Sequence, residues 1–212
     1  MTTKTPSALV FTILSVIVGA VIGFFGFSYL FDAWESGGTV SSSDTLAVVL
    51  AVLLAGQGVM VLGLSFARRS LGAVISGEEQ RSATPAQVAR YRMQGAVLML
   101  AAVLLFMPVD PTLLGFIPAP PGNTVMFAIV ALLALQSLFN LRLWLGSDEF
   151  DRQMIANTSA VSFWATQIPI FLWGAGERIG VLPALGTWDL AVAIMVIYLM
   201  ASSYITMRHG AG

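Results

Sequence analysis

The sequence predicts an all-α, polytopic integral membrane protein with six transmembrane helices in one bundle and both termini in the cytoplasm. Only 10% of the residues are charged and 57% are hydrophobic, whereas a soluble domain usually carries about 25% charged residues. The apolar residues are gathered in six long stretches, and almost all basic residues belong to one side of the resulting topology. Together these observations indicate a chain that crosses a lipid bilayer repeatedly.

Six stretches meet or approach the length that a bilayer requires. A hydrocarbon core about 30 Å thick needs roughly 20 residues at 1.5 Å per residue. The predicted spans are residues 8–30, 45–66, 85–107, 124–145, 150–175 and 188–206. The first is about 23 residues long, against about 7–15 for the apolar part of a signal peptide, so it is interpreted as a retained helix.

Two of the spans are predicted to begin in water, before the bilayer. The third follows Thr84, Pro85 and Gln87, the pattern of a capping box with proline at the first helical position. The fifth follows "GSDEFDRQ", residues 146–153, in which Ser147 is a suitable N-cap and acidic residues occupy the next turn. The simplest interpretation of this acidic cluster is therefore a helix start.

The orientation follows from the basic residues, which are retained on the cytoplasmic side of membranes. An even number of spans places both termini on one side, and that side carries nine of the ten basic residues; the other side carries Arg178 alone. The nine are Lys4, Arg68, Arg69, Arg81, Arg90, Arg92, Arg142, Arg152 and Arg208. We expect a single membrane domain over residues 1–212 in a bacterial-type inner membrane, with a cytoplasmic loop at 67–84 and a proline-rich outer loop at 108–123.

Several classes of protein are disfavoured by what the spans lack. No Asp, Glu, Lys or Arg lies in the middle of a predicted span, and the only histidine, His209, lies near the C-terminus, which argues against a proton-coupled carrier. The only lysine is Lys4, so a retinal protein is excluded. A net charge of −1 gives no basis for binding nucleic acid, and the absence of cysteine excludes disulfides and thiolate metal sites.

The polar groups within the spans are mostly neutral amides, and two interpretations of them stay open. Amides in hydrocarbon usually form hydrogen bonds between helices. Alternatively, they line a cavity for a small neutral solute or a lipid, and Gln136 and Asn140, four residues apart, would share one helix face. The ligand or pore candidates on this interpretation are the amides Gln57, Gln136, Asn140 and Gln167, together with Glu177 and Arg178.

Small residues mark the predicted contact faces between helices. Gly19 and Gly23 form a GxxxG motif in the first span. Alanines follow one face of the second span at positions 47, 51 and 55, with Gly63 further along. Small residues allow helix backbones to approach closely, within this chain or against another subunit.

Charged residues at the membrane surface supply the remaining candidates. Glu177 and Arg178 lie at the outer end of the fifth span, where they either pair locally or use Arg178 to hold an anionic headgroup. The charged cytoplasmic edge consists of Asp148, Glu149, Asp151 and Arg152. An enzyme would need these carboxylates, with Glu78 and Glu79, to bind a divalent cation and a phosphorylated lipid. No recognised catalytic motif accompanies them.

The expected function is non-catalytic: an accessory or assembly subunit of a larger complex in the inner membrane. The alternative is a carrier or pore for a small solute or lipid, with the amides along its path; a metal-dependent lipid-modifying enzyme is the third possibility. We expect no cofactor and no metal. The expected partners are membrane lipids and other membrane subunits or a second copy of the chain, and not nucleic acid.

Overall fold

The computed structural model of the chain describes residues 41–76, 82–109 and 121–210. The first predicted span, with Gly19 and Gly23, lies outside these residues. The described residues form six helices joined by turns and short loops. They are α1 (Ser42–Phe66), α2 (Arg68–Ser76), α3 (Pro85–Phe106), α4 (Gly122–Leu145), α5 (Glu149–Arg178) and α6 (Thr187–Gly210).

Four of these helices are long and apolar enough to cross a membrane: α1, α3, α4 and the segment Thr187–Ile205 of α6. The fifth, α5, has 30 residues and reaches about 45 Å at 1.5 Å per residue. It is not among the four, and its sequence carries polar residues such as Gln153, Asn157 and Gln167. The all-helical class with several candidate spans is confirmed, and the number six stays a prediction.

The helices begin where the sequence offers acceptors for their first N–H groups. The predicted capping box is present before α3: the Gln87 N–H donates to Thr84 Oγ1 at 3.3 Å, and the Thr84 N–H donates to Gln87 Oε1 at 2.8 Å. At α1, Ser41 Oγ accepts from the Asp44 N–H at 3.1 Å. Both caps satisfy donors that have no partner inside the helix.

The chain forms two compact units, which meet in sequence between Leu143 and Trp144. In the first, α1 packs along α3 through small residues. Ala47 and Ala51 of α1 are 0% and 3% exposed, and Gly58 lies directly against Gly95 of α3. Because both glycines are small, the two backbones approach closely there, as small residues allow in membrane helix pairs.

The helix α2 is short and lies at the end of α1. Its Leu71 is fully buried in a cluster with Leu64, Ala83 and Val88, and the Ala83 N–H donates to the Arg68 carbonyl at 2.9 Å. Its Val74 and Ile75 remain exposed. One apolar side of α2 is thus packed against α1 and α3, and the exposed apolar residues of α2 are placed to contact a membrane surface.

The second unit is the helical hairpin of α5 and α6, which pack against each other. The buried hydroxyl residues of α5 are Thr158 and Ser162, and each donates to the carbonyl four residues earlier, at 2.9 Å and 2.7 Å. A hydroxyl satisfied by its own helix needs no partner on the neighbouring one. On α6, Val192 is only 1% exposed. The single membrane domain expected from the sequence stays a prediction.

Candidate functional site

Residues 146–153, here called the acidic octet, form the corner between α4 and α5 and cap the start of α5. The N-cap is Asp148, one residue later than the expected Ser147, and its Oδ1 accepts from the Asp151 N–H at 2.8 Å. Glu149 and Asp151 lie in the first turn, where negative charge favours the helix. Arg152 donates from Nε and Nη2 to the carbonyls of Trp144 and Leu145, at 3.2 Å and 3.0 Å. Through these contacts Asp148, the Asp151 N–H and Arg152 each have a structural role at the start of α5.

Glu177 has a structural partner in the turn between α5 and α6. Its Oε2 accepts from the Leu185 N–H at 3.3 Å, and the Trp173 indole donates to the Pro183 carbonyl at 3.1 Å. The last residue of α5, Arg178, is exposed in the final turn, where positive charge favours the helix. Glu177 therefore orders the turn.

A glycine, Gly180, allows α5 to end in the same turn. Gly180 follows the C-cap Ile179 with φ of 76°, a conformation that glycine adopts at low cost. Its N–H bonds to the Glu177 carbonyl at 3.1 Å and the Val181 N–H bonds to the Gly176 carbonyl at 2.9 Å, which is the Schellman motif.

The predicted amides lie on three different helices, α1, α4 and α5. Gln57 of α1 and Asn140 of α4 are exposed, and Gln136 is half-buried one turn from Asn140. Gln167 of α5 is also exposed. No residue of α4 is buried. These helices therefore carry their amides on outer surfaces of the described chain.

The contact between α1 and α3 uses two glycines, Gly58 and Gly95, that the small-residue pattern of the sequence did not indicate. Ala47 and Ala51 are buried and Ala55 is half-buried, but Gly63 is exposed with open space around it. The close contact is instead made by Gly58. A Cβ atom at Gly58 would lie 3.2 Å from the Gly95 carbonyl oxygen, so neither helix has room for a larger residue there.

A groove opens beside the end of α1, and its residues were not singled out from the sequence as a site. It has a volume of about 520 Å³. The Arg92 guanidinium carbon lies 5.0 Å from the centre of the Phe66 ring, in cation–π range. The groove is lined by Ser65, Phe66, Arg68, Pro85, Val88, Ala89, Arg92, Met93, Ala96 and Phe139. In the sequence, the signal for this groove is an aromatic residue, Phe66, at the end of one predicted span, with Arg68 and Arg92 in the two helices that follow.

The chemistry available in this groove is apolar contact combined with positive charge. Of the described residues that line it, two are arginines and none is acidic. In the described ranges, no group of three or more His, Cys, Asp or Glu side chains is placed to hold a metal ion. Such a groove is suited to an amphiphilic anion.

Comparison with known proteins does not assign the chain to a family. No family model, curated protein or solved structure matches it.

Proposed function

We propose that this chain is a non-catalytic, six-span protein of the inner membrane that serves as an accessory or assembly subunit of a larger membrane complex. Both termini lie in the cytoplasm on this proposal. Four helices of the described chain have the length and composition of spans. The separation of nine basic residues from Arg178 supports the orientation.

The observation that carries the proposal is the exposure of the amides. Gln57 and Gln167 lie well inside long helices and Asn140 lies in the last two turns of α4, yet all three side chains are exposed. A primary amide facing lipid tails has no hydrogen-bonding partner, whereas a neighbouring transmembrane helix supplies one at about 0.6–2 kcal/mol per contact. Exposed amides are therefore suited to contact another membrane subunit.

The other two functions have weaker support. A carrier or pore would use the amides to line a path, but none of them lines the groove beside α1. A metal-dependent enzyme would use the acidic octet, but Asp148 caps α5 and the octet's geometry follows from that role. The accessory role needs neither a path nor a free carboxylate pair.

Photocrosslinking in native membranes tests the proposal. A photoreactive amino acid is placed at Asn140, with Leu138 as the matched control, because both are exposed on α4 and two residues turn a helix by about 200°. Gln57 and Val59 form a second pair on α1. We expect Asn140 and Gln57 to give a discrete product with a different membrane protein, and both controls to give lipid adducts only.

Two results would contradict the accessory role. A product with the mass of two copies of the chain would make the amides a self-association surface. Equal crosslinking from the amide and control positions would show that the amide faces have no preferred partner.

A further inference from the structure

The groove beside the end of α1 contains Arg92, which lies at the start of the apolar part of α3. From Met93 to Phe106 the apolar part of α3 has about 14 residues and spans about 21 Å, which is less than the ~30 Å of a hydrocarbon core. Arg92 immediately precedes this segment, and its guanidinium lies over Phe66, the last residue of α1. If α3 spans the bilayer, Arg92 lies at the boundary between headgroups and acyl chains.

A guanidinium at that boundary requires an anionic or strongly polar partner. Arg68 lines the same groove, and no acidic residue among the lining ones neutralises the two positive charges. The other polar lining residue, Ser65, donates its hydroxyl to the Leu62 carbonyl at 2.6 Å. The rest of the lining is apolar: Phe66, Pro85, Val88, Ala89, Met93, Ala96 and Phe139. Two positive charges beside a largely apolar lining match the two parts of an anionic phospholipid, its charged headgroup and its hydrocarbon chain.

We propose that this groove binds one anionic phospholipid. Arg92 and Arg68 hold its phosphate, because guanidinium groups bind phosphate oxygens through charge-assisted and often bidentate hydrogen bonds. The first part of an acyl chain lies along Met93, Ala96 and Phe139. Phe66 holds the Arg92 guanidinium in position through its ring.

A lipid fits these observations better than a free anion. A soluble phosphate would contact only the arginines and would leave the apolar wall unfilled. Phe66 itself is 76% exposed, and an exposed aromatic ring at the end of a span is typical of residues at the membrane interface. The occupant therefore carries both a phosphate and a hydrocarbon chain.

Native mass spectrometry of the full chain in mild detergent tests the assignment, with palmitoyl-oleoyl phosphatidylglycerol or the zwitterionic phosphatidylcholine added in turn. We expect one phosphatidylglycerol to stay bound under conditions that remove phosphatidylcholine. The double variant R68Q/R92Q should lower the bound fraction of phosphatidylglycerol by about tenfold or more. Arg69→Gln is the control, because Arg69 adjoins Arg68 on α2 and does not line the groove.

Single variants keep the test informative if the double variant does not fold. Arg92→Gln alone should weaken retention, and Arg92→Lys, which keeps the charge but not the planar fork, should restore part of it. Equal retention of the two lipids, or equal retention by the double variant and R69Q, would overturn the proposal. Displacement of phosphatidylglycerol by millimolar inorganic phosphate would also overturn it, because the site would then recognise a free anion.

Discussion

Gly58 and Gly95 contact each other where α1 and α3 pack together. A Cβ atom added at either position would lie 3.2 Å from the carbonyl oxygen of the other. At Gly95 it would also lie 2.6 Å from Leu62 Cγ, a branched carbon near the backbone. At Gly58 the side-chain contact is with Met99 Cγ and Sδ, both at 2.9 Å, and a methionine side chain moves aside more easily.

The substitution Gly95→Ala is therefore expected to destabilise the first unit. Overpacking of a close contact costs about 1–3 kcal/mol, and Gly58→Ala should cost less because Met99 is flexible. The measurement is the free energy of unfolding in mixed detergent micelles, followed by circular dichroism.

Gly63→Ala is the matched control for this prediction. Gly63 lies on the same helix as Gly58, and among the described residues no atom beyond its own stretch of helix lies within 4 Å of an added Cβ. An alanine there should leave the stability unchanged or raise it by up to about 1 kcal/mol through helix propensity. If G95A and G63A behaved alike, the assigned contact between α1 and α3 would be wrong.

The acidic octet is expected to act as a helix start and not as a metal site. Asp148→Ala removes the acceptor of the Asp151 N–H and should cost about 0.5–2 kcal/mol, whereas Asp148→Asn keeps an acceptor and should cost much less. Thermal unfolding with and without added Mg²⁺ or Mn²⁺ measures both effects. A metal-dependent rise in melting temperature that is lost in Asp148→Asn would instead identify a cation site.

Arg152 is expected to stabilise the corner between residues 144 and 152. Replacing it with methionine keeps much of the side-chain stem but removes the two hydrogen bonds to the Trp144 and Leu145 carbonyls. Because the site is partly exposed to water, we expect a loss of about 0.5–1.5 kcal/mol in total. Gln153→Met, at the exposed neighbouring position, is the control, and an equal loss there would show that the two bonds contribute nothing.

The helices themselves follow closely from sequence. Each described long helix begins within about three residues of its predicted position, because caps and apolar length are local properties. The capping box of Thr84 and Gln87 is a direct example. The N-cap of α5 differs by one residue because Asp148 and Ser147 are both good acceptors, and only the backbone geometry distinguishes them.

The contact faces were harder to predict, and Gly63 shows why. Steps of four residues from Ala47 reach Gly63 after 16 residues, and at 100° per residue this rotates the face by about 160°. The buried residues Ala51, Gly58 and Ser65 instead repeat every seven residues, as do Val88, Gly95 and Ala102 on α3. A seven-residue repeat drifts by only about 20° per heptad, so it keeps both helices in register.

The amide faces and the groove depend on which helices are neighbours. Gln136 and Asn140 share a face by periodicity, but periodicity does not say whether that face is covered. Arg92 and Phe66 are 26 positions apart in sequence, and only the packing of α3 beside α1 brings the guanidinium over the ring. The spacing of residues within one helix carries no information about such contacts.

Cysteine accessibility in intact cells tests the central claim, six spans with both termini inside, most directly. The chain has no cysteine, so each single substitution introduces the only thiol. A membrane-impermeant maleimide should label Asn123→Cys and Ala184→Cys in intact cells, and should label Thr3→Cys, Ser82→Cys and Ala211→Cys only after permeabilisation. Labelling of Thr3→Cys and Ala211→Cys from opposite sides of the membrane would contradict the account.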